Sequence, residues 1–159
     1  MTKSHKWAKA IFIIVCILSA VFLAYHDALN NQLITTWDTQ AYVIDNTHIR
    51  AFNWENIYWM FTNFDMANWH PLTWVSHALD YALFGLEPWG HHFVSILIHA
   101  FNTILFFGLV IVLMSFKTRD IDNQTLLAAG VAALLFGIHP QHVESVVWIA
   151  ERKDVLCLF

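Results

Sequence analysis

Two long apolar segments constrain this chain more than any other feature. The first runs from Trp7 to Tyr25, and the second runs from His92 to Phe116. Each is close to the length of about 20 residues that an α-helix needs to cross the hydrocarbon core of a bilayer. Because a helix satisfies its backbone hydrogen bonds internally, it is one of the few structures that can span lipid. The segments therefore predict an all-α integral membrane protein.

Two further segments extend this prediction. Residues 125–138 are apolar but short for a span, and another apolar run begins near Val155. We therefore expect residues 1–159 to be the N-terminal transmembrane portion of a longer multi-span protein. The composition agrees, because 58% of the residues are hydrophobic and 13% are charged, whereas soluble domains hold about 45–50% and about 25%.

The first segment has an alternative interpretation and also indicates the orientation. A basic flank precedes it, as in a cleaved signal peptide, but its length and the spans that follow favour an uncleaved helix. Because cytoplasmic loops are enriched in lysine and arginine, we expect the loop of residues 26–91 and the region 137–154 to face away from the cytoplasm. The basic residues that support this orientation are Lys3, Lys6, Lys9, Lys117 and Arg119.

Charge and cysteine content exclude two classes of protein. The net charge is −4 and no cluster of lysine or arginine is present, so a nucleic-acid partner is not expected. Cys16 and Cys157 both lie in apolar stretches, so a disulfide framework is not expected either.

Two segments outside the spans are amphipathic. Pro71 predicts the start of an interfacial helix and Gly85 predicts its end, with His77 and Asp80 on its polar face. A second interfacial helix is expected from Pro140 to Arg152, with its polar face turned to an aqueous cleft.

The stretch "GIHPQHVESVVWIAERKDVL", residues 137–156, concentrates ionisable groups in a chain with few of them. Arg152 and Lys153 form a cation pair suited to a lipid-linked phosphate, with His139, His142 and Glu144 as supporting residues. The alternative is a solvated helix face held by local charge pairs.

Asp38 is the candidate catalytic residue, because it lies between Trp37 and Tyr42 in the first loop and is placed to act as a general base. The alternative is an ordinary loop aspartate. Zinc is a further possibility at His139 and His142, but no His-Glu-x-x-His motif or cysteine cluster is present. We therefore expect no metal and no cofactor.

A polar stripe follows one face of the second span. Such residues normally face a bundle interior or a water-filled cavity, and hydrogen bonding between helices is as good an explanation as a functional one. The stripe consists of His92, Ser95, His99, Asn102 and Thr103.

Three blocks resemble bacterial members of the transmembrane and tetratricopeptide-repeat family of O-glycosyltransferases. They are "WDTQAYV", "NWHPLTWVSHALDYALFGLEPWGHH" and "LLFGIHPQHVESVVWIAERKDVL", and the similarity extends from Trp37 to Phe159. The resemblance implies a C-type glycosyltransferase fold with many spans and an extracytoplasmic active site. It places the family's acidic motif on Asp38, although Thr39 and Gln40 follow where the family often has further acidic residues.

The resemblance also implies a reaction and its partners. The enzyme would move a sugar, typically mannose, from a polyprenyl-phosphate carrier in the membrane lipid to a hydroxyl of an acceptor protein or glycan. Supporting residues on the second block are His70, His77 and Asp80. The expected location is the bacterial inner membrane, or the endoplasmic reticulum in a eukaryote, and residues 1–159 alone are not expected to be active.

Two other classes of function are alternatives. A non-catalytic membrane scaffold would tolerate neutralisation of Asp38 and Arg152. A transporter of lipid-linked sugars would show polar stripes on several spans, and the segment 125–138 has none.

Overall fold

The computed structural model describes residues 3–65, 67–116 and 120–158. Within these ranges the regular structure is helical, with no β-strand and one isolated bridge between Asp65 and Asn68. The predicted all-α class is therefore confirmed. The α-helices are α1 (Lys3–Tyr25), α2 (Trp54–Thr62), α3 (Pro71–Phe84), α4 (Pro88–Ser115), α5 (Asn123–Gly137), α6 (His142–Val147) and α7 (Arg152–Leu158). Shorter 3₁₀ and π turns cover His26–Asn30, Gln40–Ile44, Thr47–Ile49 and Ile149–Glu151.

Helices α1, α4 and α5 form a three-helix bundle. The side chain of Lys6 pairs with Asp120 at 2.7 Å, and Lys9 donates to Asn123 at 3.0 Å, so α1 and α5 begin at the same end. Two helical stretches, His5–Asn30 and Pro88–Ser115, are long and apolar enough to cross a membrane. Helix α5 is apolar but has 15 residues. Lys117 and Arg119, which support the predicted orientation, lie outside the described residues.

Gly137 allows α5 to approach both neighbours at the other end of the bundle. A Cβ atom at this position would lie 2.8 Å from methyl carbons of Val21 on α1 and Thr103 on α4. Contacts this short force side chains or backbone to shift, which typically costs about 1–3 kcal/mol.

We therefore expect Gly137→Ala to lower the thermal unfolding temperature of the purified chain in detergent. Gly108→Ala is the matched control, because a Cβ atom on Gly108 meets nothing within 4 Å and alanine favours a helix over glycine. Equal stability of the two variants would contradict this packing.

The first loop and the segment after α5 pack together at the end of the bundle away from Lys6 and Lys9. Residues from both regions share a second hydrophobic cluster, separate from the bundle core. Its buried members are Tyr42, Val43, Ile49, Met60, Trp74, Ala78, Ile149 and Ala150. The loop is therefore a folded unit on top of the bundle.

Helix α3 has the predicted limits, with Pro71 in its first turn and Gly85 after its last residue. Gly85 has φ +63°, a conformation that glycine adopts without steric cost. The polar residues His77 and Asp80 are buried against the protein, whereas apolar Leu83 is 71% exposed. This burial suits a helix at a membrane, where apolar side chains face lipid and polar groups find partners inside the protein.

The prediction of one continuous helix from Pro140 to Arg152 is wrong. The backbone leaves the helical region at Trp148, with φ −82° and ψ 112°, and a 3₁₀ turn follows before α7 begins. Arg152 consequently points into the protein rather than into an aqueous cleft. Helix α7 covers seven described residues, so a further span beginning near Val155 stays a prediction.

Candidate active site

Asp38 lies where the first loop docks against the segment between α6 and α7. The preceding residue, Trp37, has φ +62°, and its ring packs edge-on against Trp148 with centroids 5.7 Å apart. The indole N–H of Trp148 donates to the hydroxyl of Thr39 at 2.9 Å. These contacts bring the half-buried Asp38 to the block that contains Arg152 and Lys153.

Charged groups of both signs, Asp38 among them, lie near the hydroxyl of Tyr42. Lys153 donates to Glu151 at 2.7 Å, and both side chains are partly exposed. The charges of Lys153, Asp38 and Glu151 all act on the pKa of the Tyr42 hydroxyl, although burial is the main reason that this pKa is raised. We call Asp38, Tyr42, His70, Glu151 and Lys153 the Asp38 face.

The pKa values of two members of the Asp38 face follow from their neighbours. Burial lowers the pKa of His70, the charge of Lys153 lowers it further, and Asp65 opposes both. For Lys153, burial lowers the pKa, but the hydrogen bond and charge of Glu151 outweigh it and the net shift is upward. At neutral pH, His70 is therefore uncharged and Lys153 is a cation.

A cavity of about 390 Å³ opens beside Asp38, between the first loop and α6. Its volume is within the range of about 300–1,000 Å³ that small-molecule sites occupy. The lining combines polar groups with an apolar wall and includes Ile34, Thr39, His92, Val143, Glu144 and Trp148. Thr39 and Trp148 are the residues that dock the Asp38 loop, so the cavity and Asp38 are parts of one arrangement.

Arg152 lies beneath this face and is completely buried. Its guanidinium forms an ion pair with Asp80 and donates to the hydroxyls of Ser76 and Ser95, each at 3.2 Å. It also donates to the backbone carbonyl of His91 at 2.6 Å. The arginine thus joins α3, α4 and α7, and we call these five residues the Arg152 cluster.

Residue-by-residue prediction missed the pairing of Arg152 with Asp80. Asp80 lies 72 residues earlier in the chain, whereas the acidic residues nearest to Arg152 in sequence are Glu151 and Asp154. The structure instead pairs Glu151 with Lys153, and Asp154 accepts from Ser145 at 3.0 Å. The available signal was an aspartate on the polar face of α3. The side chain of Arg152 is completely covered by other residues of the protein. Phosphate binding by Arg152 stays a prediction.

The remaining predicted residues fall in different places. Glu144 lines the cavity beside Asp38, whereas His139 and His142 line a separate cavity of about 420 Å³ against α5. The ring of His142 lies 4.7 Å from that of Phe136, and its pKa is lowered, first by burial and then by His139. The structure therefore separates the two histidines from Glu144.

The polar stripe of the second span makes hydrogen bonds inside the bundle. His99 hydrogen-bonds through Nε2 to the carbonyl of Gly137 at 2.8 Å, and Asn102 donates to the carbonyl of Val155 at 2.6 Å. These bonds support the interpretation that the stripe joins α4 to α5 and α7. His92 differs, because it lines the cavity beside Asp38.

Comparison with known proteins gives relatives that are named protein O-mannosyl-transferases. The chain is 28% identical over 134 residues to Protein O-mannosyl-transferase TMTC4 of Homo sapiens, covering 76% of the chain and 18% of that protein. It is 26% identical over 161 residues to Protein O-mannosyl-transferase Tmtc3 of Drosophila melanogaster, covering 89% and 17%. Protein O-mannosyl-transferase TMTC2 of Homo sapiens is 36% identical over 88 residues, covering 55% and 9%.

The described residues form helices and include two candidate membrane spans, and the relatives of the chain include TMTC protein O-mannosyl-transferases. It spans less than a fifth of the length of each of these relatives. No family profile matches the chain, and no solved structure matches it. The similarity supports the predicted O-glycosyltransferase family, and the relatives named here are animal proteins rather than bacterial ones.

Proposed function

We propose that this chain is the N-terminal membrane portion of a multi-span C-type glycosyltransferase of bacterial type. The enzyme takes mannose from a polyprenyl-phosphate carrier and transfers it to a serine or threonine hydroxyl of an acceptor protein. The transfer takes place at the extracytoplasmic face of the membrane. The relatives that are named protein O-mannosyl-transferases support the class of reaction and of acceptor.

One structural observation carries the proposal: the docking of the Asp38 loop onto Trp148. The docking brings a carboxylate, a lysine and a cavity together at one end of the bundle. That end is remote from Lys6 and Lys9, which the charge bias of membrane proteins assigns to the cytoplasm. A carrier lipid in the outer leaflet would present its phosphate at this level.

The reaction assigns a role to each group. Asp38 accepts the proton of the acceptor hydroxyl, whose oxygen attacks the anomeric carbon of the sugar. The bond from that carbon to the phosphate oxygen breaks, and polyprenyl phosphate leaves with the electron pair. Lys153 and, as predicted from the sequence, Arg152 offset the charge of the departing phosphate. His70 and Glu144 orient the two substrates, and direct displacement inverts the configuration of the sugar.

The test is a transfer assay on the complete open reading frame that encodes this chain. In membranes, radiolabelled polyprenyl-phosphate mannose should label a peptide that contains serine and threonine. A peptide with alanine at those positions should stay unlabelled. Labelling from a nucleotide-linked mannose, in membranes unable to make the lipid-linked donor, would contradict the proposed donor. Labelled lipid without labelled peptide would contradict the proposed acceptor.

A further inference from the structure

A cluster of three buried residues lies beneath the Asp38 face. His77 and Asp80 are one helical turn apart on α3, and His91 lies in the first turn of α4. One ligand atom from each residue lies within 4.8 Å of the other two, and all three side chains are at least 98% buried. Two imidazoles and one carboxylate from two packed helices form a set of potential metal ligands.

His77 has no hydrogen-bond partner to explain its position. Its side chain is completely buried, and neither ring nitrogen has a partner among the described residues. Buried polar groups are nearly always satisfied, and an exception calls for an ion or an ordered water. The unpartnered ring nitrogens of His77 leave it able to bind a metal ion.

The two ring nitrogens of His91 have different surroundings, and one of them also lacks a hydrogen-bond partner. Its Nε2 lies 3.0 Å from the carbonyl oxygen of Gly85, and a carbonyl only accepts, so Nε2 carries a hydrogen. Its Nδ1 lies 3.3 Å from a carboxylate oxygen of Asp80 and has no hydrogen-bond partner among the described residues. A metal ion between these two atoms would bind both. A histidine that binds a metal usually donates its other ring N–H to such a carbonyl.

Arg152 sets the charge balance of the cluster. Its guanidinium pairs with Asp80 through Oδ2, the same oxygen that lies 3.3 Å from Nδ1 of His91, and one carboxylate oxygen can serve two partners because it has more than one lone pair. Together with a divalent cation, the arginine leaves excess positive charge in a buried place. An anionic fourth ligand reduces that excess, and a hydroxide is available because a metal such as zinc lowers the pKa of bound water to about 7.

We propose that His77, Asp80 and His91 bind one zinc ion, with hydroxide as the fourth ligand. Imidazole nitrogen with a single carboxylate suits zinc, whereas magnesium and calcium require mostly oxygen ligands. The site would fasten α3 to α4 directly below the Asp38 face. It is independent of the proposed glycosyltransferase activity, and it is separate from the histidine pair His139 and His142 considered from the sequence.

Metal analysis of the purified chain tests the proposal. The chain, carrying a tag without histidine, is stripped with a chelator in detergent and titrated with Zn²⁺ and, as a spectroscopic probe, Co²⁺. We expect about one zinc per chain, an absorption spectrum of low-coordinate cobalt, and a higher unfolding temperature with metal. His77→Gln and His91→Gln should each weaken binding by at least about 10-fold, since losing even an outer-shell partner costs about 10–100-fold.

Matched controls separate this cluster from the other histidines. His92→Gln changes the residue next to His91, and the double variant His139→Gln/His142→Gln removes the pair on the separate cavity. Both should bind zinc as the unaltered chain does. The proposal is overturned if the folded, unaltered chain takes up no zinc or cobalt. It is also overturned if only the His139/His142 variant loses binding. If His77→Gln or His91→Gln fails to fold, the zinc content and the cobalt spectrum of the unaltered chain still test the proposal.

Discussion

Arg152→Ala will lower the free energy of unfolding by about 3–5 kcal/mol, which is the usual cost of removing one partner from a buried ion pair. The variant leaves Asp80 without its ionic partner inside the protein, and it also removes the hydrogen bonds to Ser76, Ser95 and the carbonyl of His91. Thermal or denaturant unfolding of the chain in detergent measures the loss. A chelator in every sample keeps any metal bound to Asp80 from contributing.

Two control variants give this prediction its specificity. Lys153→Ala removes the neighbouring cation, whose pair with Glu151 is partly exposed at 28% and 17%, so it should cost only about 0–1 kcal/mol. The double variant Arg152→Ala/Asp80→Ala should be less damaging than the sum of the two single changes, because no unpaired charge remains. Additive single effects would show that the two side chains do not interact.

Arg152→Lys separates a structural role from phosphate binding. Lysine keeps the charge, but its single nitrogen cannot reach the four groups that the guanidinium spans. If Arg152 has only a structural role, Arg152→Lys should have a lower unfolding temperature. The folded fraction of this variant should have an unchanged Michaelis constant for polyprenyl-phosphate mannose. A raised Michaelis constant at unchanged stability would support the phosphate contact predicted from the sequence.

Asp38→Asn should lower the rate of sugar transfer by about 10²–10⁴-fold in the complete open reading frame, the usual cost of losing a general base. Asparagine preserves the shape of the side chain but is a very poor proton acceptor. The Asp38 loop is held by Trp37 and Thr39 against Trp148, so the fold should be unchanged. Transfer of labelled mannose to peptide gives the rate, and membrane fractionation confirms insertion.

Asp45→Asn is the matched control for Asp38→Asn. Asp45 is an exposed aspartate of the same loop, and its side chain accepts a hydrogen bond from Gln40 at 3.1 Å. This variant should transfer mannose at the normal rate. Near-normal transfer by Asp38→Asn would remove Asp38 from the mechanism, and equal losses in both variants would indicate damage to the loop instead.

Local chemistry made the helices of this protein predictable from the sequence. The hydrophobic run of α1 needs no partner to identify it, because its length matches a bilayer. Pro71 and Gly85 set the limits of α3 through their own backbone preferences, which act within one turn. The second span was expected at His92, but α4 begins at Pro88. Pro88 was the local signal for that boundary, since proline is favoured in the first turn of a helix.

Periodicity identified the two faces of α3, but it could not say which face is buried. In water the apolar face of a helix turns inward, whereas a protein in a membrane can present that face to lipid. Only the packing of α3 against α4 and α7 placed His77 and Asp80 inside. The break at Trp148 has the same origin. The break turns Arg152 toward Asp80 on α3. The pattern of residues 137–156 contains no information about a partner on another helix.

The sequence by itself determined the helical class and the ends of α3, and it predicted Asp38, Arg152 and Lys153 as residues of chemical interest. The tertiary structure decided that Arg152 is buried with Asp80, while Lys153 stays partly exposed and pairs with Glu151. It also brought His77, Asp80 and His91 within reach of one ion. The physical reason is that spans and caps depend on neighbours in sequence, whereas a buried charge is tolerated only where distant residues supply its partners.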